Sequence, residues 1–488
     1  MPRLTVVFPD GKTKYVDFDG NPRRFDLLSA QDIPVEHPCG VGGGCGKCRM
    51  EIEVHLSPPT AEEERAGGRL SCRTRLLGDA RLVLGGSGEM DVEFYTRRLS
   101  SARSDDGYGL ALDIGTTTLA LQIVRLSTGE VVGRASDRNP QTTLAADVMG
   151  RIRAATEGQA QILRSSLLAA VRDMKKEACR QAGVSPAAPR EAVVTGNTVM
   201  LHLLCGRPVD ALGHAPFAAR WLFDETVDLE GVPAYLPPCM DAFVGADVSC
   251  AVLSSGLCRH RCALLADVGT NGEIALFRNG KLYVTSTAAG PAFEGAGISC
   301  GMNNVPGAVT RVTLSQGELR LATVGGAPPR GVCGSGLLDA ISVFLKTGLI
   351  SGSGATLGPL TLAPGLSLTP QDVRALQLAK AAVAAGMTTL LETAGVGWEE
   401  VERLYLAGGF GSHFSVSSAV DVGLLPAEIA DRVRVVGNAA LAGATMLLLD
   451  PARKDEIRRL ADSAVSVRLS GHPAFSEHYM DAIAFFEE

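Results

Sequence analysis

Gly109-Leu110-Ala111-Leu112-Asp113-Ile114-Gly115-Thr116-Thr117-Thr118 is an apolar run that ends in an acid and a Gly-Thr turn. The pattern returns at Ala263-Leu264-Leu265-Ala266-Asp267-Val268-Gly269-Thr270-Asn271-Gly272. Each copy predicts a buried strand, a D-x-G-T turn and a second strand. Each then reaches another turn, Ser127-Thr128-Gly129-Glu130 in one and Arg278-Asn279-Gly280-Lys281 in the other. A second pair matches further on. Ala192-Val193-Val194-Thr195-Gly196-Asn197-Thr198 and Leu404-Tyr405-Leu406-Ala407-Gly408-Gly409-Phe410-Gly411 both read as strand, glycine turn and helix. Two similar lobes in tandem follow, with a ligand cleft between them.

The rest of the chain sets the frame. Its 488 residues hold 46 Lys+Arg and 53 Asp+Glu, a net charge of −7. A mildly acidic chain gives nucleic acid no basic face to grip. The apolar run Ala439 to Leu449 is too short to span a bilayer, so no membrane partner is expected. The segment Met1 to Gly11 has no secretory pattern, and the expected location is the cytoplasm, where thiols stay reduced. The 12 cysteines therefore need a reason other than disulfides. Eight are dispersed and read as small buried hydrophobes. Four cluster early.

Those four are Cys39, Cys45, Cys48 and Cys72, spaced C-x5-C-x2-C-x23-C. The loop Cys39-Gly40-Val41-Gly42-Gly43-Gly44-Cys45-Gly46-Lys47-Cys48 can wrap three thiolates round one centre, because glycine turns inward freely. Its N–H groups can bond the sulfurs and tune their potential. Zinc is the rival metal, although its sites usually pair two C-x-x-C knuckles. Around the loop, residues 1–95 read as short strands and one helix. Leu4–Phe8, Lys14–Phe18, Met50–Leu56 and Ala80–Leu84 alternate, and Ala61-Glu62-Glu63-Glu64-Arg65 starts a helix. Residues 96–107 are polar and aperiodic, a linker.

The cysteine spacing resembles the C-x5-C-x2-C branch of [2Fe–2S] ferredoxin domains over residues 1–95. That implies an α+β β-grasp fold and a [2Fe–2S] cluster on the four cysteines. Residues 108–488 resemble the superfamily of actin, sugar kinases, acetate kinase and heat-shock chaperones (ASKHA), which implies an α/β, ribonuclease H-like, two-lobed ATPase. On that resemblance lobe one runs over about 108–262 and lobe two over about 263–436. Segment 437–488 is expected to return to lobe one.

The resemblance implies ATP as the nucleotide, with phosphate loops at Gly115, Thr116, Thr117 and Thr118 and at Gly269, Thr270 and Asn271. An adenosine loop would hold Gly408, Gly409 and Phe410. Asp113 and Asp267 would hold Mg²⁺ through water, and one of them would orient the attacking water. The glycine-rich helix start at Gly334, Ser335 and Gly336 reads either as an anion site or as a plain helix start. Lys380, in Leu376–Ala382, reads either as a contact to adenine or ribose or as a solvated lysine. Glu294 is a second cleft carboxylate or a turn residue, and Asp247 is a weaker candidate. His413, His472 and His478 show no metal spacing.

An iron–sulfur module joined to an ATPase suits ATP-driven electron transfer. The layout resembles the reductive activators of corrinoid-dependent methyltransferase systems, which return Co(II) corrinoid to Co(I). That family implies a corrinoid partner, an external electron donor and a homodimer. Compared with longer members, the chain is expected to lack a middle domain, since only 96–107 stands in that place. Rival readings are an electron donor to a radical dehydratase, a small-molecule kinase with a regulatory cluster, and a chaperone-like module. No G-x-G-x-x-G turn supports an oxygenase reductase.

Overall fold

The computed structural model describes residues 2–7, 13–31, 52–53, 56–66, 69–83, 101, 103–408 and 414–486. The chain divides into two compact units, Met1–Glu89 with Pro140–Gln159, and Met90–Asn139 with Ala160–Glu488. Grouping residues 140–159 with the first unit departs from the expected boundary near 95.

In the first unit, β1 (Arg3–Val7) and β2 (Thr13–Asp17) form an antiparallel pair. Helix α1 (Arg24–Ser29), β3 (Ile52–Glu53), α2 (Ala61–Ala66) and β4 (Ala80–Val83) follow. The sheet order is β2-β1-β4-β3, with β1 and β4 parallel at its centre. A late strand inserted beside the first, with a helix over the sheet, is the grasp topology. Leu4, Val6, Val16, Phe18, Leu28, Leu76 and Leu82 fill the core. Helix α3 (Val148–Ala154) belongs to this unit and is capped by Asp147, whose side chain accepts the Gly150 N–H.

The second unit holds two six-stranded sheets, with a three-stranded and a two-stranded sheet besides. In the first, β5 (Tyr108–Ile114), β6 (Thr118–Arg125) and β7 (Glu130–Arg138) form an antiparallel meander. Helix α4 (Ala160–Ala182) packs on it. Then come β8 (Pro189–Gly196), α5 (Thr198–Cys205), β9 (Glu225–Leu229), β10 (Val232–Leu236) and α6 (Ala246–Ser255). Strand β8 runs parallel to β5 and β10 parallel to β8. The order is β7-β6-β5-β8-β10-β9.

The second sheet repeats this plan with β11 (Cys262–Val268), β12 (Gly272–Arg278) and β13 (Lys281–Thr287). Asn279 and Gly280 both take positive φ in the β12–β13 turn, as a twisted two-residue hairpin requires. An insertion follows: β14 (Ala308–Ser315), β15 (Glu318–Thr323), β16 (Gly331–Val332), α7 (Gly334–Lys346), β17 (Leu360–Ala363) and β18 (Leu366–Leu368). Helix α8 (Pro370–Ala394) leads to β19 (Arg403–Gly408), α9 (Val416–Asp421) and β20 (Val433–Gly437). Strand β19 lies parallel to β11 and β20 parallel to β19. Meander plus parallel strands is thus built twice, and the sequence echo is a duplicated topology.

The chain ends with α10 (Ala439–Leu449), α11 (Arg453–Ser463), β21 (Ala464–Ser466) and α12 (Pro473–Asp481). These elements divide between the lobes. Helix α10 packs on β5, β8 and α6, whereas β21 joins β13 and α12 lies on α8. The expectation that all of 437–488 returns to lobe one is therefore corrected. The apolar β21 and α12 positions find their partners on lobe two.

Helices α6 and α10 form a layer between the sheets. Cys250, Leu253, Leu441 and Leu448 pack towards Ala111 and Val193 of one sheet. Val248, Val252 and Ala439 pack towards Leu265, Ala275 and Tyr405 of the other. This explains why α10 is apolar on every side. The helices meet backbone to backbone, and a Cβ on Gly443 would lie 2.1 Å from the Cys250 carbonyl oxygen. Gly443→Ala gains helix propensity but overpacks this crossing. It is expected to destabilise the unit by about 1–3 kcal/mol in denaturant unfolding. Unchanged or higher stability would show that the crossing adapts.

Part of the expected linker is tied down. Arg103 pairs with Asp105 at 2.7 Å and Glu191 at 2.8 Å, and donates to the Leu448 carbonyl. Among the described residues no helix is long and apolar enough to cross a membrane.

Candidate active site

The two D-x-G-T strands end at one place because their sheets share a register. Asp113 lies beside Thr195 and Ile114 beside Gly196. Asp267 lies beside Ala407 and Val268 beside Gly408. In both lobes glycine is required where the parallel strand ends. Gly196 (φ 156°) and Gly408 (φ 109°) have left-handed backbone, and a Cβ would lie 2.7 Å from the Ile114 oxygen or 2.4 Å from the Val268 oxygen. Two acids thus face each other at the mouths of matching strands.

Between them lies a cleft of about 210 Å³. It is lined by Asp113, Gly115, Thr116, Thr117 and Thr118 from one lobe and by Asp267, Gly269, Thr270, Asn271 and Glu294 from the other. Gly334 and Gly408 also reach it. Asn139 fixes the first loop. Its Nδ2 donates to the Gly115 carbonyl at 2.9 Å and its N–H to the Thr117 carbonyl at 2.8 Å.

Glu294 joins the two loops. Its Oε2 accepts the Thr117 hydroxyl at 2.7 Å and the Thr270 hydroxyl at 2.8 Å. Its Oε1 accepts the Thr270 N–H at 3.2 Å. Carboxylate oxygens therefore occupy donors of the kind that phosphate oxygens take at such turns.

The cleft crowds negative charge. Burial pushes Asp113 up to about 7, against the opposing pull of the Asn438 amide, which donates to its Oδ2 at 2.8 Å. Burial, followed by Asp247, Asp113 and Glu294, pushes Asp267 up to about 8. Burial raises Asp247 to about 6. Glu273 is raised well above the usual carboxylate range by burial, then by Asp247 and Asp267. It stands directly opposite Asp267 across β11–β12, where like charges repel. Arg138 stands opposite Thr118 across β6–β7, and burial lowers its pKa against the opposing pull of Glu294.

The donor set is all oxygen, which suits a hard cation such as Mg²⁺. Among the described residues no three His, Cys, Asp or Glu side chains converge tightly enough to hold a metal alone.

Asp247, Glu273, Asn197, Asn303, Asn304 and Asn438 line the cleft beside the expected residues. Asp247 was weakly indicated by sequence. The others were not singled out, although Asn197 stands within the repeated strand–glycine–helix pattern. Three expected nucleotide residues lie elsewhere. Ser335 donates to the Thr310 carbonyl at 3.1 Å, and Gly336 abuts the Val309 backbone, so both dock α7 under β14. Lys380 is 1% exposed and donates to the Ala484 carbonyl at 2.5 Å. Its ammonium lies 5.4 Å from the Phe485 ring centre, and burial pushes its pKa down to about 8. It is neither a cleft residue nor a solvated lysine. Gly409 and Phe410 lie outside the described residues.

In the first unit Cys39, Cys45 and Cys48 also lie outside the described residues. Cys72 is fully buried against the core. Its turn is held by Glu63, which accepts the Leu70 N–H at 3.0 Å and bonds the Thr74 hydroxyl. Thr60 and Glu63 form a reciprocal cap on α2, with Glu63 accepting the Thr60 N–H at 2.9 Å. A buried thiol on a braced turn fits a cluster ligand.

Fold and cleft together define a two-lobed ASKHA-type domain. Comparison with known proteins narrows the class. Residues 7–77 match the 2Fe-2S iron-sulfur cluster binding domain. Residues 108–260 match the RACo middle region, and residues 261–488 the C-terminal domain of RACo, the ASKHA domain. The chain is 31% identical to corrinoid activation enzyme RamQ of Eubacterium limosum, covering 83% of this chain and 74% of that protein. It is 25% identical to the [Co(II) methylated amine-specific corrinoid protein] reductase of Methanosarcina barkeri, covering 78% and 77%. A solved reductive activator for corrinoid, iron-sulfur protein superimposes with TM-score 0.73 and 26% identity, over 99% of this chain and 98% of that one. The chain belongs to the family of reductive activators of corrinoid proteins. The expected lack of a middle domain is overturned, because the middle region is lobe one itself, residues 108–260.

Proposed function

We propose that this chain is an ATP-dependent reductive activator. It passes one electron from a [2Fe–2S] cluster to the Co(II) corrinoid of a partner protein and so restores Co(I). The observation that carries the ATP half is the pair of D-x-G-T strands meeting in equivalent register at one acidic cleft. The ferredoxin-type domain on the same chain and the activities for which the relatives are named support the redox half.

The residues divide the work. The Gly115–Thr118 and Gly269–Asn271 loops cradle phosphates through N–H and hydroxyl groups. Asp113 and Asp267 hold hydrated Mg²⁺, which supplies charge neutralisation at the phosphates. Asn438 keeps the Asp113 carboxylate aimed. Cys39, Cys45, Cys48 and Cys72 hold the cluster, which supplies the electron. An external donor, a homodimer and a cytoplasmic setting belong to the same proposal. A lift of about 240 mV corresponds to roughly 10⁴-fold differential binding, or about 5.5 kcal/mol. A nucleotide-driven change in lobe closure is a step of suitable size.

The test mixes purified protein, reductant and a Co(II) corrinoid protein with and without Mg·ATP, and follows loss of the Co(II) spin signal. Rapid loss is expected only with ATP. Equal Co(I) yield without nucleotide would sink the reading.

A further inference from the structure

Asn197 ends the β8 turn and caps α5. Its Oδ1 accepts the Val199 N–H at 3.0 Å, and this fixes which end of the amide is nitrogen. The side chain lines the cleft and is 3% exposed, yet Nδ2 has no hydrogen-bond partner among the described residues. An unpaired buried donor is costly, so this one calls for an occupant that the protein does not itself provide.

Asp247 stands beside it, on the first turn of α6. A Cβ on the intervening Gly245 would lie 2.7 Å from both the Asn197 Cα and the Asp247 Oδ1. Oδ1 accepts the Val248 N–H at 2.8 Å. Its other donor is its own backbone N–H, and the carboxylate lines the cleft. The remaining cleft acids differ. Asp113 is engaged by Asn438, and Glu294 by Thr117 and Thr270. Glu273 is engaged by the Asn271 side chain. A neutral donor next to an acceptor is the pair that orients a water while leaving one lone pair for attack.

We propose that Asn197 and Asp247 hold the attacking water of ATP hydrolysis, with Nδ2 donating to its oxygen and the Asp247 carboxylate accepting one of its protons. The assignment rests on the ATPase reading above. In the step, a bond forms from the water oxygen to the γ-phosphorus. The bond from that phosphorus to the β–γ bridging oxygen breaks, and its electron pair leaves on ADP. The proton passes to Asp247. Asp113 and Asp267 are thereby left to the metal.

The test uses the full chain with Asp247→Asn or Asn197→Ser, and measures phosphate release separately from Mg·ATP affinity. Asparagine at 247 keeps shape and removes the proton acceptor. Serine at 197 keeps a capping oxygen and removes the amide donor. Phosphate release is expected to fall about 10²-fold or more for Asp247→Asn and on the order of 10-fold for Asn197→Ser, with affinity kept within about threefold. A wild-type rate in either folded variant overturns the assignment. So does a parallel loss of affinity and rate, which would make the pair binding groups. If Asp247→Asn fails to fold, Asn197→Ser decides. A wild-type chain that binds no ATP overturns the ATPase reading, and this assignment falls with it.

Discussion

Asp267→Asn is expected to lower ATP hydrolysis by about 10³-fold and, without nucleotide, to raise the melting temperature. Both effects come from one carboxylate. Burial and three neighbouring acids push it up to about 8, far above its unfolded value near 3.9. Between those values the folded state binds more protons than the unfolded state. Stability therefore falls as pH rises through this window. Asparagine cannot ionise, so the variant's advantage grows from pH 5 to pH 8, to on the order of a few kcal/mol, and fades near pH 4. Saturating Mg·ATP should reverse the order, because only the wild type gains binding energy from the metal. Thermal melts at pH 5, 6.5 and 8, with and without Mg·ATP, decide it. A pH-independent gap would place Asp267 outside the charged cleft.

Cys72→Ser is expected to separate the two halves of the proposed activity. Hydroxyl replaces thiolate at the one described member of the proposed ligand set, so the visible iron–sulfur absorbance should shift or vanish. Electron delivery to Co(II) should fall by at least about 10²-fold. ATP hydrolysis should stay within about twofold, since the cleft is built wholly from residues of the other compact unit. Parallel absorption, iron content and phosphate-release measurements test this. Normal corrinoid reduction by a cluster-depleted variant would refute the electron route.

The sequence made the duplicated lobes legible because β5 and β11 are buried on both faces and so read as unbroken apolar runs. Their terminal acids and Gly-Thr turns were legible for the same reason, since polar residues after such runs stand out. Glu273 was not legible. It becomes a cleft acid only because β12 folds back with Glu273 opposite Asp267, a register that the turn sets. Lys380 shows the opposite failure. A helical lysine reads as solvated or ligand-facing, but its partner is the carbonyl of Ala484, 104 residues away. Nothing local announces such a contact. The Ser335 helix start left two readings open, because a glycine-rich turn serves close packing against a strand as readily as it serves an anion, and the structure places Gly334 at the cleft but Ser335 and Gly336 against β14. The C-terminal division followed from partners too, as β21 is too short to declare which sheet it will join.

Glu294 gives the cleft a tenant of its own. By holding the Thr117 and Thr270 hydroxyls, one carboxylate clasps both lobes before any triphosphate arrives. On the proposed reading, ATP then competes with an internal anion for the same hydroxyls. Its apparent affinity is weakened by the fraction of time that the clasp is shut. Such a protein would sense exchange of one anion for another more than filling of an empty space.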